Sequence, residues 1–214
     1  EKTAMNNYRR LLRTQINPHF IFNSLNSIQY LINSNNRLSA IKYLGKFSKL
    51  LRQTLESSIE NSFTLSEEIQ FLNTYLELES LRFNKSFDYN ISVDESLDTQ
   101  DIQVPQLLIQ PFVENAIIHG LLNKDSDNKL VQIHFKKEAG FLLCTIEDNG
   151  IGRQASHQFK GMDIQKKSRG MEVTQKRINT LFPHAVQQQL LVILDKTDKN
   201  GAPNGTKVVL KIPL

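Results

Sequence analysis

Apolar residues recur along the first third of the chain at the three- and four-residue spacing of an amphipathic helix. Leu12, Ile16, Phe20 (or Asn23) and Ile28 set the first stripe, over residues 4–33. Asn17-Pro18 interrupts it. Either the proline kinks a continuous helix, at a cost of about 3 kcal/mol, or Asn17 caps a fresh helix with Pro18 in its first turn. Asn33-Ser34-Asn35-Asn36 reads as a turn, and Ile41, Leu44, Phe47, Leu51 and Leu55 stripe a second helix over residues 38–57. Two such helices joined by a short polar turn form a helical hairpin. Alone they bury too little surface, so pairing with a second copy into a four-helix bundle is expected. Residues 56–63 read as a polar linker. Thr64-Leu65-Ser66-Glu67 has capping-box spacing and opens a third helix that runs to Asn84.

Beyond this point the period changes. Phe87, Tyr89, Ile91 and Val93 alternate with Asp88, Asn90 and Ser92, the pattern of a half-buried strand. After a polar loop over 94–103, residues 105–121 read as a helix. Further strands are expected at 131–135, 141–147, 190–194 and 207–212, with a helix over 171–182. The segment from 153 to 169 is polar, basic and poor in apolar residues. Helices and strands mix without regular βαβ alternation, so the expected class is α+β: a helical hairpin (residues 1–62) followed by an α/β sandwich (residues 63–214).

Composition narrows this picture little. A chain of 214 residues suits one large domain or two modest ones. The net charge of +4 is spread along the chain, with no basic stripe interleaved with aromatics, and no nucleic-acid partner is expected. The one cysteine, Cys144, lies in an apolar run and reads as a small core residue in a protein of a reducing compartment. His134, His157 and His184 lack metal-ligand spacing with cysteine or other histidines, and no zinc site is expected. The chain opens on Glu1-Lys2-Thr3 without an initiator methionine, which reads as an excised fragment.

Four short motifs carry candidate chemistry. In Glu114-Asn115-Ala116-Ile117-Ile118-His119-Gly120, Asn115 and His119 stand four residues apart and share a helix face. The Asn115 carboxamide oxygen suits a magnesium ion beside phosphates. Asp148-Asn149-Gly150-Ile151-Gly152 follows an apolar run. A carboxylate at a strand end accepts from an exocyclic amine such as that of adenine, and the glycines admit close backbone approach. Ser168-Arg169-Gly170 leads into the helix that contains Arg177, where a helix N-terminus favours phosphate. Asn204-Gly205-Thr206 precedes the final strand. Each motif alone is equally an ordinary turn or helix end.

In this order, the four resemble the GHKL (Bergerat) ATP-binding fold shared by gyrase-type ATPases and histidine kinases, over residues 105–214. That resemblance implies ATP and Mg2+ as cofactors. It implies Asn115 on the metal, Asp148 on adenine, and His119, Gly150, Gly152, Gly170, Gly205 and Thr206 around the nucleotide. Residues 153–169 would be a mobile lid. Upstream, Gln15-Ile16-Asn17-Pro18-His19-Phe20-Ile21-Phe22-Asn23-Ser24-Leu25-Asn26 resembles the phosphoacceptor segment of LytS-type sensor histidine kinases, as does Val104-Pro105 through His119-Gly120. The resemblance implies a homodimeric protein-histidine kinase, the cytoplasmic part of a membrane-anchored sensor. Its His19 would be phosphorylated from ATP and would pass the phosphoryl group to a response-regulator receiver domain. A neutral imidazole is a competent nucleophile near pH 7. Asn23, four residues on, would steady the ring or the phosphoryl group. Phe20 stands where many histidine kinases have an acidic residue, so Glu114 is the candidate orienting base. Arg82, at the end of the third helix, also matters by the resemblance.

The chain departs from the family in the second glycine box, where Ser168-Arg169-Gly170-Met171-Glu172-Val173 stands for Gly-x-Gly-Leu-x-Asn. This keeps a non-catalytic nucleotide-binding module as one alternative. An ATP-hydrolysing GHKL module is another, but it calls for a glutamate one helical turn before Asn115, where Pro111 stands.

Overall fold

The turn between the first two helices forms where four polar residues interrupt the apolar stripes. Asn35 takes the left-handed conformation (φ 56°), which asparagine tolerates well. The Asn36 side chain accepts the Ser39 N–H at 3.3 Å and starts the next helix. A computed structural model describes residues 18–56, 62–153, 155 and 174–214. Packing divides the chain between residues up to Lys85 together with Gln103–Leu107, and Ser86–Ile102 together with Leu108–Leu214.

The first unit contains α1 (Pro18–Asn33), α2 (Arg37–Glu56), β1 (Ser62–Thr64), α3 (Leu65–Arg82) and β3 (Gln103–Pro105). The expected capping box is present: the Glu67 N–H donates to Thr64 Oγ1 at 3.2 Å, and the Thr64 N–H donates to Glu67 Oε2 at 2.8 Å. From α1, Phe20, Ser24 and Ile28 turn inward; from α2, Ala40, Tyr43, Phe47, Leu50 and Thr54 do so. Phe20 stacks obliquely on Phe47 and on Tyr75 of α3, with ring centroids 6.0 and 5.3 Å apart.

This corrects the expected α2 stripe. Phe47 is buried, but Ile41 and Leu44 are 57 % and 48 % exposed. The third helix is the reason. It packs on the hairpin within the same chain and selects the neighbouring face, a long-range choice invisible to a local period. Phe22, Leu25, Tyr30, Ile32 and Leu38 join Ile41 and Leu44 as exposed apolar side chains. The expected linker is also shorter than it reads, because Ser62–Thr64 pairs antiparallel with Gln103–Pro105, Phe63 opposite Val104. Leu12 and Ile16 of the first stripe lie outside the described residues, and so does the Leu55 side chain.

The second unit is a five-stranded sheet in the order β2-β4-β5-β7-β6, made of β2 (Asp88–Val93), β4 (Leu130–Glu138), β5 (Phe141–Asp148), β6 (Leu191–Thr197) and β7 (Pro203–Pro213). Among the described residues, only the β2–β4 pair is parallel. A parallel pair needs a crossover, and the chain supplies it with α4 (Gln110–Asn115) and its continuation Ala116–Leu121. Alternation sends Val131, Ile133, Phe135, Leu142, Cys144, Ile146, Val208, Leu210 and Ile212 to the buried face. Phe112, Val113, Ile117 and Leu121 of the crossover helix are buried with them. Gln132, His134, Thr145, Glu147, Lys207 and Lys211 alternate onto the wetter face. The α+β class expected from the pattern is the observed one.

One boundary differs from expectation. The helix read over 105–121 starts at Gln110, because Val104-Pro105 is claimed by the β1–β3 ribbon and Leu107 takes a positive φ of 55°. After α5 (residues 174–181), a short 3-10 turn, Pro183–Gln188, precedes β6. Among the described residues no helix is long and apolar enough to cross a membrane.

Candidate functional site

Pro111 sits in the first turn of α4, where a missing N–H costs nothing. The helix is regular to Asn115 and then widens into a π-turn over Ala116–Leu121, with the Leu122 N–H reaching back five residues to the Ile117 carbonyl at 3.0 Å. Such one-turn insertions are rare and cluster at functional sites. Asn115 is the last residue before the widening, and His119 lies within it. Both are half-buried, as is Glu114. The expected sharing of one face therefore spans a change of helical pitch.

The widened turn brings Gly120 against the end of β5. A Cβ on Gly120 would lie 2.7 Å from Asp148 Oδ1, and one on Gly150 would lie 2.3 Å from the Gly120 carbonyl carbon. One on Gly205 (φ +98°) would lie 2.0 Å from the Asp148 carbonyl oxygen. The Ile151 N–H donates to the Gly120 carbonyl at 3.2 Å. Gly152, also at positive φ, rests against Pro203. Only glycine fits these close backbone approaches. The three motifs around Asn115, Asp148 and Gly205 thus meet at one end of one sheet.

At their centre, Asp148 is 4 % exposed. Its Oδ1 accepts the Gly150 N–H at 2.8 Å, and the Thr206 N–H is a second backbone donor to the carboxylate. Burial outweighs these donors and raises the carboxyl to about 6. Lys196 partly opposes that rise, and Glu147 adds to it. The Asn149 side chain closes the turn onto β4: its Oδ1 accepts the Leu130 N–H at 2.8 Å, and its Nδ2 donates to the Asn128 carbonyl at 3.2 Å. A deep carboxylate ringed by glycines fits a planar base carrying an amine donor. A half-buried carboxamide on the adjoining helix fits a hard cation.

The remaining candidates fall elsewhere. His19 and Asn23 lie on α1, in the helical unit; Asn23 is half-buried, and its carbonyl accepts the Ser27 hydroxyl at 3.0 Å. Arg82 is not a solvated charge. It bonds both oxygens of Glu79, at 3.1 and 3.3 Å, and lies over the Phe83 ring. The second glycine box with Gly170 lies outside the described residues, as do all but Arg153 and Ala155 of the expected lid. Arg153 makes a two-pronged ion pair with Asp195 of β6, both contacts at 2.7 Å. Sequence reasoning had Gly120 and Asn149 inside its motifs without giving either a role, and it missed Lys124 and Lys196. For Gly120 a signal existed, a glycine inside an apolar helical run. For the two lysines none did.

The histidine kinase family model matches residues 8–87. The sensor histidine kinase BtsS of Escherichia coli (strain K12) is 34% identical over 175 residues, covering 81% of this chain and 29% of that protein. The sensor histidine kinase/phosphatase LytS of Staphylococcus aureus (strain N315) is 36% identical over 141 residues, 66% of this chain and 24% of its own length. The chain therefore spans less than a third of these relatives. The catalytic domain of histidine kinase ThkA superposes with a TM-score of 0.46 at 16% identity, over 71% of this chain and 94% of that one. By its homology to BtsS and LytS, this chain belongs to the sensor histidine kinase family.

Proposed function

We propose that the chain is the kinase core of a two-component sensor. It would phosphorylate its own His19 from ATP and pass the phosphoryl group to a receiver-domain aspartate of a response regulator. The observation that carries this is the meeting of Gly120, Gly150 and Gly205 around the buried Asp148, beside the helix that bears Asn115. ATP would supply the phosphoryl group, and Asn115 would hold the Mg2+ that offsets its charge. Asp148 accepts the adenine amine, and His119, Gly150, Gly152, Gly170, Gly205 and Thr206 line the nucleotide. An imidazole nitrogen of His19 forms the new bond to phosphorus as the bond to the ADP oxygen breaks. Asn23 steadies the ring, and Glu114 orients it.

The functional division we assign is residues 1–62 for dimerisation and phosphoacceptance and 63–214 for nucleotide binding. The exposed apolar side chains of α1 and α2 support a homodimer formed through the hairpin. Anchoring of the parent protein to the membrane, with this part on the cytoplasmic side, belongs to the same proposal.

Incubation with γ-labelled ATP and Mg2+ tests it, beside His19→Gln and Asn115→Ala, scoring acid-labile, alkali-stable label. Label in the parent and in neither variant is the expected result. Label persisting in His19→Gln refutes the phosphoacceptor assignment. ATP binding without label favours a non-catalytic module.

A further inference from the structure

The turn after β5 presents two consecutive peptide carbonyls, and each accepts from a lysine ammonium. Lys196 of β6 donates to the Asp148 carbonyl at 3.2 Å and is itself fixed by Glu147 Oε1 at 2.6 Å. Lys124, in the loop after the π-turn, donates to the Asn149 carbonyl at 2.7 Å and to the Asn128 carbonyl at 2.9 Å. On its remaining side the Asp148 carbonyl abuts Gly205, where even a methyl group would overlap it. A water molecule would satisfy these carbonyls equally well. A lysine does something more: its hydrogen bond ties the turn to a second element of the chain. Charged donors also make the stronger hydrogen bonds.

We propose that Lys124 and Lys196 are positioning residues for base recognition, clamping the Asp148–Asn149 turn so that the Asp148 carboxylate discriminates adenine from guanine. This rests on the reading of Asp148 as the adenine acceptor. An adenine presents an N–H donor at its six-position, whereas a guanine presents a carbonyl oxygen, which an ionised carboxylate repels. That discrimination holds only while the carboxylate stays within hydrogen-bond reach and direction of the six-substituent. A turn freed on either side lets the carboxylate swing, and the preference decays.

Equilibrium titration of the whole chain with Mg-ATP and with Mg-GTP tests the clamp. The variants are Lys196→Met, Lys124→Met, both together, Lys196→Arg, and Asp148→Asn as reference. Each methionine variant is expected to lower the ATP-to-GTP affinity ratio about tenfold, the scale at which small misplacements act. The double variant falls little further, because one turn is released in all three. Lys196→Arg, which keeps a charged donor, restores most of the ratio. Partial unfolding weakens both nucleotides alike and leaves the ratio unmoved, so it cannot mimic the clamp. An unchanged ratio in both methionine variants, with the preference lost in Asp148→Asn, overturns the clamp and spares the reading of Asp148. A preference that survives Asp148→Asn overturns that reading and the clamp with it.

Discussion

At neutral pH, Asp148 carries its charge in a place that disfavours charge. Its carboxyl is raised from 3.8 to about 6, and burial is the leading cause. Because the folded-state value lies above the free one, protonation favours the fold. That contribution is complete below about pH 4 and is lost as the pH climbs through 6. Two pH units of displacement correspond to about 3 kcal/mol of stability forgone above pH 6. Asp148→Asn removes the charge and keeps an acceptor for the Gly150 N–H. The variant should therefore be more stable than the parent at pH 7 to 8, by about 1–3 kcal/mol once its new amide hydrogens find partners. The advantage should shrink to about 0.5 kcal/mol near pH 4. Urea unfolding at pH 4, 5, 6.5 and 8 measures it, with hydrogen exchange of the β5 amides reporting the local part. ATP binding should weaken in the same variant, so stability and recognition move in opposite directions. A difference that stays flat across this range, or a variant less stable throughout, refutes the electrostatic reasoning.

Two further outcomes follow from packing. Gly205→Ala should cost more than about 3 kcal/mol in urea unfolding, since strain at a positive φ adds to a backbone overlap. Gly140→Ala, also at positive φ but with nothing within 4 Å of its Cβ, should cost only about 1–2 kcal/mol. Arg82→Met takes the guanidinium away from the Glu79 carboxylate, which is 1% exposed, and should cost roughly 3 kcal/mol. Pairing it with Glu79→Leu should recover more than half, and a single variant within about 0.5 kcal/mol of the parent refutes the pairing argument.

Local chemistry was legible in the sequence, and long-range choices were not. Thr64 and Glu67 announce their capping box because both partners lie within one turn. The alternation of Val131, Ile133 and Phe135 gives a strand and its buried face together. Tyr43 and Leu50 were missed as core residues because the stripe through Ile41 and Leu44 fits a helix equally well. Only the arrival of α3, from beyond a linker, decides between the faces. Pro105 reads as a helix start by its ring, but a partner strand more than forty residues upstream takes it first. Asp148 and Gly205, named from separate motifs, lie against each other in the fold. Lys124 and Lys196 escaped because a lysine that bonds a carbonyl leaves no spacing rule behind.

The order of causes at Asp148 also explains why the site has this shape. Two backbone N–H groups serve the carboxylate, and Lys196 adds positive charge nearby, yet burial still prevails. The carboxylate is thus supplied with fewer donors than its desolvation calls for. Raising the supply from within the chain would lower the carboxyl and stabilise the fold, but it would fill the acceptor capacity that a ligand needs. Gly120 keeps a side-chain atom off the carboxylate and Gly150 and Gly205 let the backbone close in around it, while the lysines act on the backbone of the turn. An amine donor from a bound base completes the set. On this reasoning, nucleotide binding draws the Asp148 carboxyl back below about 6, so binding near that pH releases protons.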